Sequence, residues 1–186
     1  MDYFKKILKE SVLVVMISSI IGLISGTFLS VNKEILYSFP IILLILPSLN
    51  SLIGDISTVL TSRLSSHLYL GNLSPKIQKS NVIEVRKDFY GLLITILLSL
   101  VALIIIGYAV GFATGIQIIN PLLIIAVIML TILILFGIIF ILLFTSSIFL
   151  FRRGKDPNNF LIPLTTSLLD FLTPLLLIFF IYLFTI

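Results

Sequence analysis

In this chain of 186 residues, 59% are hydrophobic and only 11% charged, less than half of the roughly 25% that covers the surface of a globular domain. The excess of apolar side chains must face lipid, which implies an integral membrane protein and excludes a soluble domain. With no cysteine and one histidine, thiolate metal sites, thiol nucleophiles and histidine-based zinc or iron centres are excluded, and a net charge of +4 reads as a topology signal, not as nucleic-acid binding.

Five apolar stretches are long enough to cross a hydrocarbon layer of about 30 Å, which takes roughly 20 helical residues. The first covers residues 12–29, behind a basic amphipathic lead with Lys5, Lys6 and Lys9 that is expected to lie along the interface. It is read as a span and not a signal peptide, because Ser25-Gly26-Thr27-Phe28 makes a poor cleavage site. The second covers residues 35–60, is interrupted by Pro40 and Pro47, and continues as a polar helix past Arg63 until Gly71 stops it. Residues 72–88 are the one sizeable hydrophilic stretch, basic through Lys76, Lys79, Arg86 and Lys87, and are expected to form a loop with a short surface helix at most. The third span is residues 89–111, joined by an uncharged connection to Pro121. The fourth, residues 122–151, is long enough to tilt and stops at Arg152-Arg153-Gly154, and the fifth, residues 158–185, follows Lys155-Asp156-Pro157.

The expected fold is therefore all-α: a polytopic membrane protein with five transmembrane helices in one membrane domain over residues 1–186, without a soluble appendage. Eleven of the twelve basic residues fall in the N-terminal lead, the region from Arg63 to Lys87, and the turn from Arg152 to Lys155. The positive-inside rule then predicts a multi-pass protein of the cell membrane with its N-terminus cytoplasmic and its C-terminus outside.

Charged side chains at bilayer depth cost about 3 kcal/mol or more, so the two aspartates inside spans call for an explanation. Asp170 lies near the middle of the fifth span, and at 100° per residue Asn159, Pro163, Thr166, Ser167, Thr173 and Pro174 fall on its side of the helix. That stripe reads as one wall of a water-filled path, with backbone carbonyls freed by the prolines facing it. Asp55 in the second span heads a similar stripe of Ser48, Ser51, Thr58 and Ser62. Carboxylates and hydroxyls are hard oxygen ligands, suited to Mg²⁺, Mn²⁺ or Ca²⁺. The bland reading is a pair of neutral acids hydrogen-bonded to neighbouring helices. Asp156 reads as a cap of the fifth helix that also stands at the inner mouth of the path, Arg63 and His67 as interfacial residues. Ser18, Gly22 and Gly26, and Gly107, Gly111 and Gly115, follow small-xxx-small spacing and read as packing surfaces. The loops hold no constellation of catalytic groups, which speaks against an enzyme.

Two stretches carry a family resemblance. Pro47-Ser48-Leu49-Asn50-Ser51-Leu52-Ile53-Gly54-Asp55, followed by Leu60-Thr61-Ser62-Arg63-Leu64-Ser65, resembles the second-helix signature of the MgtE and solute carrier family 41 magnesium transporters. Gly154-Lys155-Asp156-Pro157-Asn158-Asn159, then Ile162-Pro163 and Thr165-Thr166 leading to Asp170, resembles their signature at the junction of the fourth and fifth helices. The resemblance implies a cation path along a dimer axis, lined by the second and fifth helices, with Asp170 at the ion-selecting position. It also implies a homodimer, since the solute carriers usually hold two five-helix units and this chain holds one. The chain has no room for the cytoplasmic regulatory domains of MgtE proteins, and it carries Gly54-Asp55 where the family signature has Gly-Asn.

The expected protein is a homodimeric Mg²⁺ transporter or channel in which two Asp170 carboxylates hold a largely hydrated ion, helped by the Thr166 hydroxyl. Asp55 and Asn50 act nearer the cytoplasm, with Asp156 and Asn159 at the mouth; ligand chemistry leaves Mn²⁺ and Ca²⁺ open as cargo. The partners are a second copy, lipid and the cation. The competing expectations are a proton- or sodium-coupled carrier and a non-transporting membrane subunit whose aspartates lock helices together.

Overall fold

A computed structural model describes residues 2–74 and 81–185. The described residues form six helices and no strand: α1 (Asp2–Val31), α2 (Lys33–Ser38), α3 (Pro40–Tyr69), α4 (Asn81–Ala113), α5 (Pro121–Arg152) and α6 (Pro157–Thr185). All but the six-residue α2 are long and apolar enough to cross a membrane. A helix suits that setting because it satisfies its own backbone polar groups where no water can.

Local chemistry places the breaks. Proline has no N–H to lose at a helix start, and Pro40, Pro121 and Pro157 each open a helix. Gly71 and Gly154, with φ of +75° and +66°, follow the ends of α3 and α5, a backbone conformation that costs other residues a steric penalty. The amides beyond them, of Leu73 and Lys155, turn back to the carbonyls of His67 and Leu150 at 3.0 Å each.

The basic lead forms the first turns of one continuous helix, α1, whose apolar part is Val12–Val31. Two expectations are corrected. The second span does not begin at Ile35, which belongs to α2; Phe39 leaves helical geometry before Pro40, and α3 starts there. The hydrophilic stretch is shorter than expected, because α4 begins at Asn81 and takes in Arg86, Lys87 and Asp88. Lys76 and Lys79 lie outside the described residues.

Helices α3, α5 and α6 pack against one another, α1 lies along α6 and α4 along α3. Buried Ile41, Ile45, Leu49, Ile53, Leu60 and Leu64 of α3 recur at helical spacing and meet Ile128, Ile132, Leu135 and Ile139 of α5 in a single apolar core. Much of α1 and α4 is left exposed and apolar, as a lipid-facing surface requires. The glycine expectation divides. A Cβ on Gly107 or Gly111 would stand 2.7 or 2.6 Å from a side-chain carbon of Ile45 or Ile41, so these glycines let α4 approach α3 closely. Gly22, Gly26 and Gly115 have no such neighbour, and the seam between α1 and α6 is built instead by serines.

Candidate cation site

The arrangement of α3 beside α6 brings the two intramembrane aspartates to one place. Pro47, Asn50, Ser51, Gly54, Asp55 and Thr58 of α3 and Thr166 and Asp170 of α6 line an open cavity of about 420 Å³. These α3 positions are spaced by three and four residues, so they form one face of the helix. The Asn50 amide Nδ2–H donates to Asp170 Oδ1 at 3.2 Å. This contact orients the carboxylate without neutralising it, since the amide carries no charge. The Asn50 amide oxygen is buried and without a protein partner.

The hydroxyls present oxygen lone pairs. Thr166 donates its proton to the carbonyls of Ile162 and Pro163 at 3.1 and 3.0 Å, and Thr58 donates to the Gly54 carbonyl at 3.0 Å. A hydroxyl whose proton is committed to backbone keeps its oxygen lone pairs, so what it can offer a cation or its waters is an acceptor. Two carboxylates and the Thr58 and Thr166 hydroxyls line the cavity with oxygen donors only, the type a hard cation takes, while the buried Asn50 oxygen stands back from it.

Of the six site residues expected from sequence, Asp170, Asp55, Thr166 and Asn50 line this cavity, and Asp156 and Asn159 lie outside it. Asp156 accepts the backbone N–H of Asn158 at 3.0 Å, which caps the first turn of α6. Asn159 is exposed, while its neighbour Asn158 reaches across to Ser65 Oγ of α3 at 3.3 Å. The stripe on α6 is narrower than its helical arc suggested. Thr173 and Pro174 are buried in the protein, and Ser167 donates back to the Pro163 carbonyl at 3.1 Å. On α3, Ser48 lines a different groove of about 460 Å³, shared with Ser99 and Gly107 of α4.

A third acid was missed. Asp88, with only 1% of its side chain exposed, receives Arg63 Nε and Nη2 on the same oxygen, each at 2.6 Å. His67 Nε2 lies 3.2 Å from its other oxygen. Arg63 and His67 are one helical turn apart on α3, so both point to the same place on α4. The available signal was that i, i+4 pair of basic side chains followed by an acid at the threshold of an apolar run.

Comparison with known proteins bears on residues 46–180, which match the family model of MgtE, described as a divalent cation transporter. The matched stretch contains every residue that lines the cavity. No curated protein and no solved structure matches the chain.

Proposed function

The chain belongs to the MgtE family of divalent cation transporters, and from that premise we propose that it moves Mg²⁺ along a path lined by α3 and α6, at the two-fold axis of a homodimer in the cell membrane. The observation that carries this reading is the convergence of Asp55 and Asp170 on one open cavity with neutral oxygen donors and no cationic side chain in its lining.

Charge supports a hydrated divalent ion, and size allows one. The two carboxylates carry a formal charge of −2 when ionised, which one divalent ion balances. Six waters at about 30 Å³ each occupy roughly 180 Å³, less than the open cavity's volume of about 420 Å³, so volume poses no obstacle to a hydrated ion. Mg²⁺ gives up its waters reluctantly, so the carboxylates and the Thr166 hydroxyl act through those waters, and Asn50 acts by orienting the Asp170 carboxylate. Such contacts select the ion without trapping it. A second copy facing this one across the axis doubles the acids around the ion. The whole chain acts as one membrane domain, with its N-terminus cytoplasmic and its C-terminus outside, which turns the basic ends of α3, α4 and α5 to the cytoplasm. Asp156 and Asn159 then stand at the inner mouth, where the Asp156 carboxylate draws cations in from the cytoplasmic side.

The test is Mg²⁺ flux into proteoliposomes. Asp170→Ala is expected to abolish flux while the protein elutes as a folded dimer. Undiminished flux removes Asp170 from the path, and a monomer that carries flux removes the axis.

A further inference from the structure

We propose that Ser25 of α1 is a positioning residue for Asp170, holding the turn of α6 that carries this carboxylate through its backbone carbonyl. The inference rests on Asp170 being the ion-contacting acid.

The need for such a residue is written into α6. In an α-helix the carbonyl of residue 170 accepts the N–H of residue 174, and residue 174 is Pro174, which has none. The Asp170 carbonyl is thus deprived of its helical partner at bilayer depth, where an unpaired carbonyl has no water to turn to. Ser25 supplies the missing donor: its hydroxyl, 4% exposed, donates to the Asp170 carbonyl oxygen at 2.5 Å.

The contact belongs to a registered seam. Ser18, seven residues before Ser25, donates to the carbonyl of Pro163, seven residues before Asp170, at 3.1 Å. Equal steps in the same direction mean that α1 and α6 run parallel, and the next turn is seated by Phe28 edge-on against Phe171, with ring centres 5.8 Å apart. Residue 170 is consequently gripped from two sides. Its carbonyl is held by α1 through Ser25, and its carboxylate is held by α3 through Asn50. Against the expectation that it faces the path, the freed carbonyl turns to Ser25 of α1, and its role is to fix where the carboxylate points. Helix α1 precedes the stretch that matches the family, so a residue from outside that stretch holds the backbone of Asp170 from behind the cavity.

The test uses Mg²⁺ flux and, independently of transport, the chemistry of position 170. Because the chain has no cysteine, Asp170→Cys introduces a single thiol whose rate of modification by a water-soluble methanethiosulfonate reads its presentation to the cavity. Ser25→Ala is expected to lower flux per folded protein about ten-fold, the scale set by small displacements of a reacting or binding group, and Ser25→Thr, which keeps the hydroxyl, to stay within about two-fold of wild type. In the Asp170→Cys background, Ser25→Ala is expected to change the modification rate several-fold and Ser25→Thr is not. Wild-type flux and an unchanged modification rate in Ser25→Ala overturn the inference. If the wild-type chain carries no Mg²⁺ flux, the transport reading fails, and the modification rate alone decides for or against Ser25. Where Ser25→Ala does not fold, adding Pro174→Ala returns an N–H to the orphaned carbonyl: recovered folding supports the inference, and continued failure overturns it.

Discussion

Two aspartates, Asp170 and Asp88, sit in apolar helices of the same protein and are treated in opposite ways. Asp88 is enclosed and met by a guanidinium on one oxygen and an imidazole beside the other. Asp170 opens to a cavity and is met by a neutral amide. An acid supplied with its own cation has no charge left to offer a ligand, and an acid supplied only with an amide keeps it. Burial alone therefore misleads as a guide to function: the more buried acid ties α3 to α4, and the more open one is the acid proposed to meet the ion.

The sharpest way to break this comparison is to remove the charge at each acid with an isostere. Asp170→Asn is expected to lower Mg²⁺ flux by about 100-fold, the scale on which one preorganised electrostatic contact acts, with the unfolding midpoint in detergent unchanged. Asp88→Asn is expected to do the reverse, lowering the unfolding midpoint and leaving flux per folded protein near wild type. Loss of flux without loss of stability in Asp88→Asn erases the distinction.

A second prediction concerns the partner. Arg63→Ala leaves the buried Asp88 carboxylate with only His67 beside it; stranding one partner of a fully enclosed pair costs about 3–5 kcal/mol. The Arg63 side chain is 54% exposed, so solvent already screens part of the attraction and the expected loss is about 2–3 kcal/mol by denaturant unfolding. The double variant Arg63→Met with Asp88→Leu removes both charges and is expected to recover most of that loss. Failure to recover means that the cluster does more than join two helices.

The contrast between the two acids was only half legible in the sequence. Asp170 and Asp55 stood out because an acid in an apolar run is conspicuous, and helical arithmetic alone put Ser51, Asp55 and Thr58 on one face. That Asn50 touches Asp170 was not legible, since a contact between residues 120 apart depends on how α3 packs on α6. Asp88 was hidden for a different reason. Beside Arg86 and Lys87 it looked like part of a solvated charge run, although Asn81, followed three residues on by Glu84 ahead of an apolar run, is a helix-start signal that puts Asp88 inside α4. The prolines of α6 were visible and their meaning was not, because the donor for the Asp170 carbonyl comes from α1, 145 residues away.

Asp55 tests how far the open side of the comparison extends. It lines the same cavity as Asp170, and the resemblance places an asparagine at its position. Asp55→Asn keeps an oxygen ligand and removes one charge, so its effect should appear in accumulation of the ion near the site. Expected is a rise of about three-fold in KM for Mg²⁺ with maximal flux retained, and a larger rise at low ionic strength, where the lost charge is less screened. A fall in maximal flux as deep as that of Asp170→Asn places the two acids on equal terms.

The smallest effect is expected at Asp156, where a capping role and a role at the inner mouth of the path make separable claims. Its carboxylate accepts the Asn158 amide, and loss of a helix cap costs about 1 kcal/mol, so Asp156→Ala should lower the unfolding midpoint slightly. Asp156→Ser keeps a capping oxygen and removes the charge, and it is expected to restore stability. If Asp156 only caps, Asp156→Ser transports like wild type at every ionic strength. If it also draws cations towards the cavity, uptake from the cytoplasmic face slows about two-fold at low salt and recovers at high salt, where screening over about 8–10 Å already removes its reach. The serine variant thus separates a charge that serves the helix from one that serves the ion, the same distinction that divides Asp88 from Asp170.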